Sequence, residues 1–220
     1  LEQFVEQGGV LVSTYWSGIV DENDLVHLGG FPGPLRRTLG IWAEEIEGLY
    51  PHDRNGLVMQ DGNRLGLTGD YEAHELCELL HAETAQVLGV YREDFYAGRP
   101  ALTCNELGKG RAYYMATRLK RDFLDAFYRK VVDEAGVSRV LDTELPEGVT
   151  AQLRTDGERD YVFILNFSGT RQTLTLDDAE YVNLETGQQE EKELVLEPNG
   201  VKLLSRPRHS VDKGYTAILR

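Results

Sequence analysis

The hydrophobic pattern changes period several times along the chain. Leu1, Phe4 and Val5 fall at i, i+3 and i+4, one face of a helix. Gly8 and Gly9 suit its C-terminus, where a left-handed residue ends the last turn. "VLVSTYW" (10–16) is then a β-branched and aromatic run of strand length. Helix, two glycines and strand make the α-to-β half of an α/β unit. A parallel strand covered on both faces predicts further strands upstream. "LRRTLGIWAEEIEGLY" (35–50) predicts a short helix interrupted at Gly40, and the Gly/Asn/Asp-rich 51–71 predicts loop with one or two edge strands.

Residues 71–91, "YEAHELCELLHAETAQVLGVY", hold good helix formers, and propensity favours helix, although "CELLHAE" and "AQVLGVY" also fit strands. Two extended runs around "GKG" (108–110) predict a β-hairpin. Phe123, Leu124, Phe127, Val131 and Val132 then form a helical stripe that Gly136 ends. From Pro146 the pattern shortens to strands. Turn pairs recur at Asp156-Gly157, Ser168-Gly169, Thr186-Gly187 and Asn199-Gly200, as in an all-β sandwich or barrel. The predicted organisation is an α/β domain over 1–143, a small antiparallel β domain over 146–206 and a tail, 207–220.

Composition narrows the function classes. The 220 residues are 41% apolar and 27% charged, ordinary for a globular chain, with a formal charge of −14. That charge argues against nucleic acid and against an anionic membrane as partners. No apolar run approaches the ~20 residues that span a bilayer. Cys77 and Cys104 lack metal or redox spacing and fit reduced thiols in a cytoplasmic protein. A chain that opens with Leu inside an amphipathic segment reads as a fragment, with any targeting signal upstream.

Candidate chemistry centres on "SGIVDENDLVHLGGFPGPLRRTLGI" (17–41), where Asp21, Glu22, Asp24, His27 and Arg36 surround a Gly/Pro-rich turn. The acidic residues lack the alternate ligands, central Gly and closing Glu of a calcium loop. Nothing fixes the carboxylate separation that sugar hydrolysis needs. The favoured reading is a subunit-contact or site-roofing loop, with Trp16 and Phe31 as aromatic candidates and Trp42 in the core. "HELCELLH" (74–81) resembles the zinc motif H-E-x-x-H, but Glu78 stands where the second histidine is required. "GKG" lacks the rest of a phosphate loop, and no G-x-S-x-G elbow is present. Nothing marks Cys104 as a nucleophile. No metal site, cofactor or catalytic constellation is expected. A sugar-binding role for the β domain would need exposed aromatics from among Tyr161, Phe163, Phe167 and Tyr181.

The stretch "SGIVDENDLVHLGGFPGPLRRTLGIWAEE" resembles the glycoside hydrolase family 42 β-galactosidases in the region that follows their catalytic barrel. The likeness continues through "AQVLGVYREDFYAGRPALTCNELGKGRAYYMAT" and into "LEPNGVKLL", covering about residues 1–205. It implies an α/β domain like the class I glutamine amidotransferases (flavodoxin-like), incomplete at its N-terminus and associated with trimer formation, followed by a small all-β sandwich-like domain. It also implies strands over 71–91. The parent enzymes hydrolyse terminal β-galactosides with retention, using two barrel glutamates that would lie upstream of this chain. The expected partners are therefore two further copies of the chain, and a galactoside held by the barrel.

Overall fold

The computed structural model describes residues 1–208. The chain divides into two units, Leu1–Ala135 and Gly136 onward, ahead of the 143–146 border that the sequence pattern predicts.

In the first unit, α1 (Glu2–Glu6) leads through Gly8, at φ +116°, into β1 (Val10–Thr14). A long loop and the one-turn α2 (Arg36–Leu39) follow. Gly40 is left-handed at φ +64° and turns the chain straight into β2 (Ile41–Gly48). Next come β3 (Asn55–Met59), β4 (Asp70–Ala82), β5 (Gln86–Tyr91), β6 (Pro100–Leu107), β7 (Gly110–Met115), β8 (Thr117–Leu119) and α3 (Arg121–Glu134).

The eight strands form one sheet in the order β1-β7-β6-β5-β3-β4-β2, with β8 also on β4. Only β1 and β7 are parallel; every other pairing is antiparallel. This overturns the α/β expectation. The parallel pairing of the opening unit is not repeated: α2 also leads into a strand, but β2 pairs antiparallel with β4, and from there the chain runs through antiparallel neighbours, which need no crossover helix. The unit is predominantly β and not a glutamine amidotransferase-like, flavodoxin-like fold.

Residues 71–91 are strands. β4 is bonded along both edges, to β2 and β3 on one side and β8 on the other, and these ladders override the helix propensity of its Glu, Leu and Ala residues. Glu75, at φ +65°, is also incompatible with a helix interior. Ala116, between β7 and β8, donates its N–H to Ala101 of β6 and accepts from Glu78 of β4. The path β4–β3–β5–β6–β7/β8 thus returns to β4 and closes into a ring. The Tyr91 hydroxyl bonds to the Glu78 backbone and the Ala116 carbonyl at that closure. Cys77, Glu78, Leu79 and Leu80 are consecutively buried, so both faces of β4 are covered there. α3 buries Phe123, Phe127 and Val131, leaves Leu124 half-buried, and exposes Val132.

Among its described residues, the second unit is all-β. It holds β9 (Val149–Thr155), β10 (Arg159–Asn166), β11 (Gln172–Thr175), β12 (Val182–Asn183), β13 (Glu193–Leu196) and β14 (Val201–Pro207). One antiparallel sheet runs β12-β14-β10-β9; β11 and β13 form a second. The four sequence-read turns each join consecutive strands, with Gly157, Gly187 and Asn199 at positive φ. Asp160, Val162, Ile164 and Asn166 face inward along β10, so Tyr161 and Phe163 lie on the half-buried face. Of the predicted tail, Pro207 closes β14 and Arg208 follows it; 209–220 lie outside the described residues.

Candidate functional site

The loop between β1 and α2 has internal order that its sequence explains. Asp21 Oδ1 accepts the amides of Asn23 (2.8 Å) and Leu25 (3.0 Å), an Asx turn that also holds this carboxyl below its usual range. Asp24 occupies the left-handed position, at φ +61°. The Asp21 amide donates to Leu25 O (2.9 Å), the His27 amide donates to Ile19 O (2.9 Å), and Val20 bridges Val26. Residues 19–27 are therefore a small hairpin. Glu22 and Asp24 are exposed at its turn. So are Leu25 and Val26, and Leu28 is 98% exposed.

The "GGFPGP" turn folds this hairpin back onto the sheet. The Phe31–Pro32 bond is cis, Phe31 packs against the core, and its carbonyl accepts the Ala43 amide of β2 at 2.6 Å. Gly18, at φ +61°, lies so close to Pro32 that a Cβ there would sit 2.9 Å from the Pro32 oxygen. The His27 ring lies against Gly33. Arg36 forks onto Glu83, Nε to Oε2 at 2.9 Å and Nη2 to Oε1 at 2.5 Å, and this hydrogen bonding lowers the Glu83 pKa. The guanidinium also lies 5.7 Å from the Trp42 ring centre. Trp42 is only partly buried; it stacks on His81 at 4.2 Å, where core packing was expected.

The start of the loop is pinned from beneath by Glu78. Its Oε1 accepts the Trp16 amide at 2.8 Å and its Oε2 accepts the Tyr114 hydroxyl at 2.7 Å. Glu78 is fully buried, and burial pushes its pKa up to about 7 against the opposing pull of those two donors. Trp16, at φ +61°, is 64% exposed, yet its amide is held.

The structure thus places Asp21, Glu22, Asp24, His27, Phe31 and Arg36 on one ordered loop, with Trp16 at its root. Of its carboxylates, Asp21 shapes the turn, while Glu22 and Asp24 are exposed at it. Among the described residues, no group of three or more His, Cys, Asp or Glu side chains is arranged to hold a metal ion. "HELCELLH" is split by β4: Glu78 is buried, and His81 stacks on Trp42. Cys77 and Cys104 are free and buried, and desolvation raises both thiol pKa values, which opposes nucleophilic use. In the second unit Tyr181 is buried with its hydroxyl accepting from Arg206 at 2.8 Å, which removes it as a sugar platform.

A family model described as the β-galactosidase trimerisation domain matches residues 1–138, and one described as the β-galactosidase C-terminal domain matches 148–206. This chain belongs to the trimerisation and C-terminal domains of the glycoside hydrolase family 42 β-galactosidases. Among curated relatives, β-galactosidase BglY of Alicyclobacillus acidocaldarius is 50% identical over 207 residues, which are 94% of this chain and 30% of the relative. β-Galactosidase Pbg of Clostridium perfringens is 48% identical over 206 residues, with the same coverage. The chain thus spans about a third of the length of these relatives. Among solved structures, the β-galactosidase from Bacillus circulans sp. alkalophilus superposes with a TM-score of 0.84 at 40% identity, over 93% of this chain and 30% of that one. Gan42B, a GH42 β-galactosidase from G. stearothermophilus, gives 0.81 at 38% identity, over 94% and 29%.

Within the trimerisation domain, sequence reasoning missed Glu78, Tyr114 and Glu83 as the residues that hold the loop. A lone Glu inside the otherwise apolar "CELL" was the available signal for Glu78. Its partners, Tyr114 on β7 and the Trp16 amide just past β1, are brought together by no local pattern.

Proposed function

We propose that this chain is the assembly and C-terminal region of a β-galactosidase that releases terminal β-D-galactosides with retention, and that the Trp16–Arg36 loop makes its contact between copies. The carrying observation is a set of large apolar side chains on an ordered loop: Trp16, Val20, Leu25, Val26 and Leu28 are all exposed. A hairpin that fixes such residues in water invites a partner surface, and the family description supports a second copy of the chain as the occupant. A homotrimer is the proposed state. Asp21, Glu22, Asp24 and His27 form the polar rim of the contact, while Phe31 and Arg36 position it. Galactoside chemistry belongs to parts of the parent enzyme outside this chain, so the 220 residues by themselves should release no product from a nitrophenyl β-galactoside. The buried free thiols fit a reducing, cytoplasmic setting. A free-standing ligand-binding module and a sugar-binding β module are not favoured.

Light scattering tests the contact. The 24.8 kDa chain should show a mass three times larger, and Trp16→Ala combined with Leu28→Ser should return it to one chain. A trimer untouched by that double substitution removes the loop from the interface.

A further inference from the structure

We propose that Glu78 and Tyr114 form a protonation-dependent latch that holds the root of the contact loop, so that the loop's shape, and with it assembly, responds to pH. The assembly half of this rests on the loop reading above; the latch itself does not.

The geometry is specific. The Trp16 amide is held by the buried Glu78 carboxyl, whose other oxygen takes the Tyr114 hydroxyl. Ser17 is tied by Oγ to the Thr14 carbonyl at 2.7 Å. One residue on, Gly18 touches the Pro32 backbone. A shift at Trp16 is therefore passed to the GGFPGP turn through direct contact.

The surroundings of Glu78 decide how it responds. Tyr114 faces it from β7, and the Tyr91 hydroxyl from β5 reaches its backbone. Across β2 its register partner is Ile46, and the β7–β8 junction presents Ala116. Cys77, next to it on β4, is also buried. Among the described residues, no Lys, Arg or His pairs with it. A buried carboxylate with two hydrogen-bond donors and no cation is poorly compensated for the water it has lost. The neutral acid keeps the Trp16 amide on its carbonyl oxygen and exchanges donor and acceptor with Tyr114. Because the folded pKa lies near 7, above the ordinary 4.5, the latch is firm in mild acid and loosens as pH rises through neutrality.

The test is the tryptophan fluorescence of the full 220-residue chain from mild acid to mild alkali. The expected result is a single transition near neutral pH that Trp16→Phe removes, that Glu78→Gln abolishes because the amide stays neutral, and that Tyr114→Phe moves to higher pH by deleting a donor to the ionised form. A flat wild-type titration, or an unchanged midpoint in Tyr114→Phe, overturns the latch, even if Glu78→Gln fails to fold. Mass measured across the same range separates the two ideas. A fluorescence transition at constant mass leaves the latch standing and removes its link to assembly.

Discussion

Gly108 and Gly110 show how closely this molecule depends on single backbone positions. A Cβ at Gly110 would sit 2.1 Å from the Val5 carbonyl oxygen and 2.3 Å from that of Gly9, and one at Gly108 would sit 2.5 Å from the Glu6 oxygen. Lys109 and Arg111 meanwhile donate their amides to Glu6 and Gly9. The hairpin turn is thus the platform on which the end of α1 rests. Gly110→Ala should cost about 1–3 kcal/mol, the range for forced overpacking, read as a lower midpoint in thermal or urea unfolding. An unchanged midpoint would mean that α1 does not rest on this turn. The turn itself was legible from "GKG", because φ and spacing are local properties. Its docking role was not, since α1 lies a hundred residues away in sequence.

At the scale of elements, α3 is bound by its stripe. Phe127 is fully buried, meets Tyr113 edge-on at 5.5 Å and stacks on Phe123 at 5.7 Å. Phe127→Ala should cost about 3–5 kcal/mol, whereas Val132→Ala, at an exposed position, should leave the unfolding midpoint nearly unchanged. Equal losses at the two sites would show that the helix is packed differently. The helical period made this element readable: of the stripe Phe123, Leu124, Phe127, Val131 and Val132, three residues are buried, Leu124 is half-buried and Val132 is exposed. The period failed over 71–91, where Glu, Leu and Ala prefer helix but the edges of β4 are both taken by other strands.

For the whole molecule, charge and apolar contact oppose each other. A chain carrying −14 repels its copies at low ionic strength. Shortening the screening length from about 30 Å at 0.01 M salt to about 8 Å at 0.15 M removes much of that repulsion. Association through Trp16, Leu25, Val26 and Leu28 should then strengthen with salt, seen as a rising average mass in sedimentation. A mass that falls with salt would mean that ion pairs, not this apolar loop, make the contact.

The sequence by itself determined the features that depend on near neighbours: the opening helix and strand, the stop at Gly40, the GKG hairpin, the α3 stripe, the turns of the second unit, and the family, through the long Ser17–Glu45 motif. Tertiary structure decided the rest. One parallel pair in an otherwise antiparallel sheet made the first unit predominantly β, because strand direction is set by which distant strands pair and not by the order of helix and strand signals. Burial of Glu78 beneath Trp16 likewise arises only when β4, β7 and the end of β1 meet. A carboxyl's environment belongs to the packed molecule, and no stretch of sequence holds it alone.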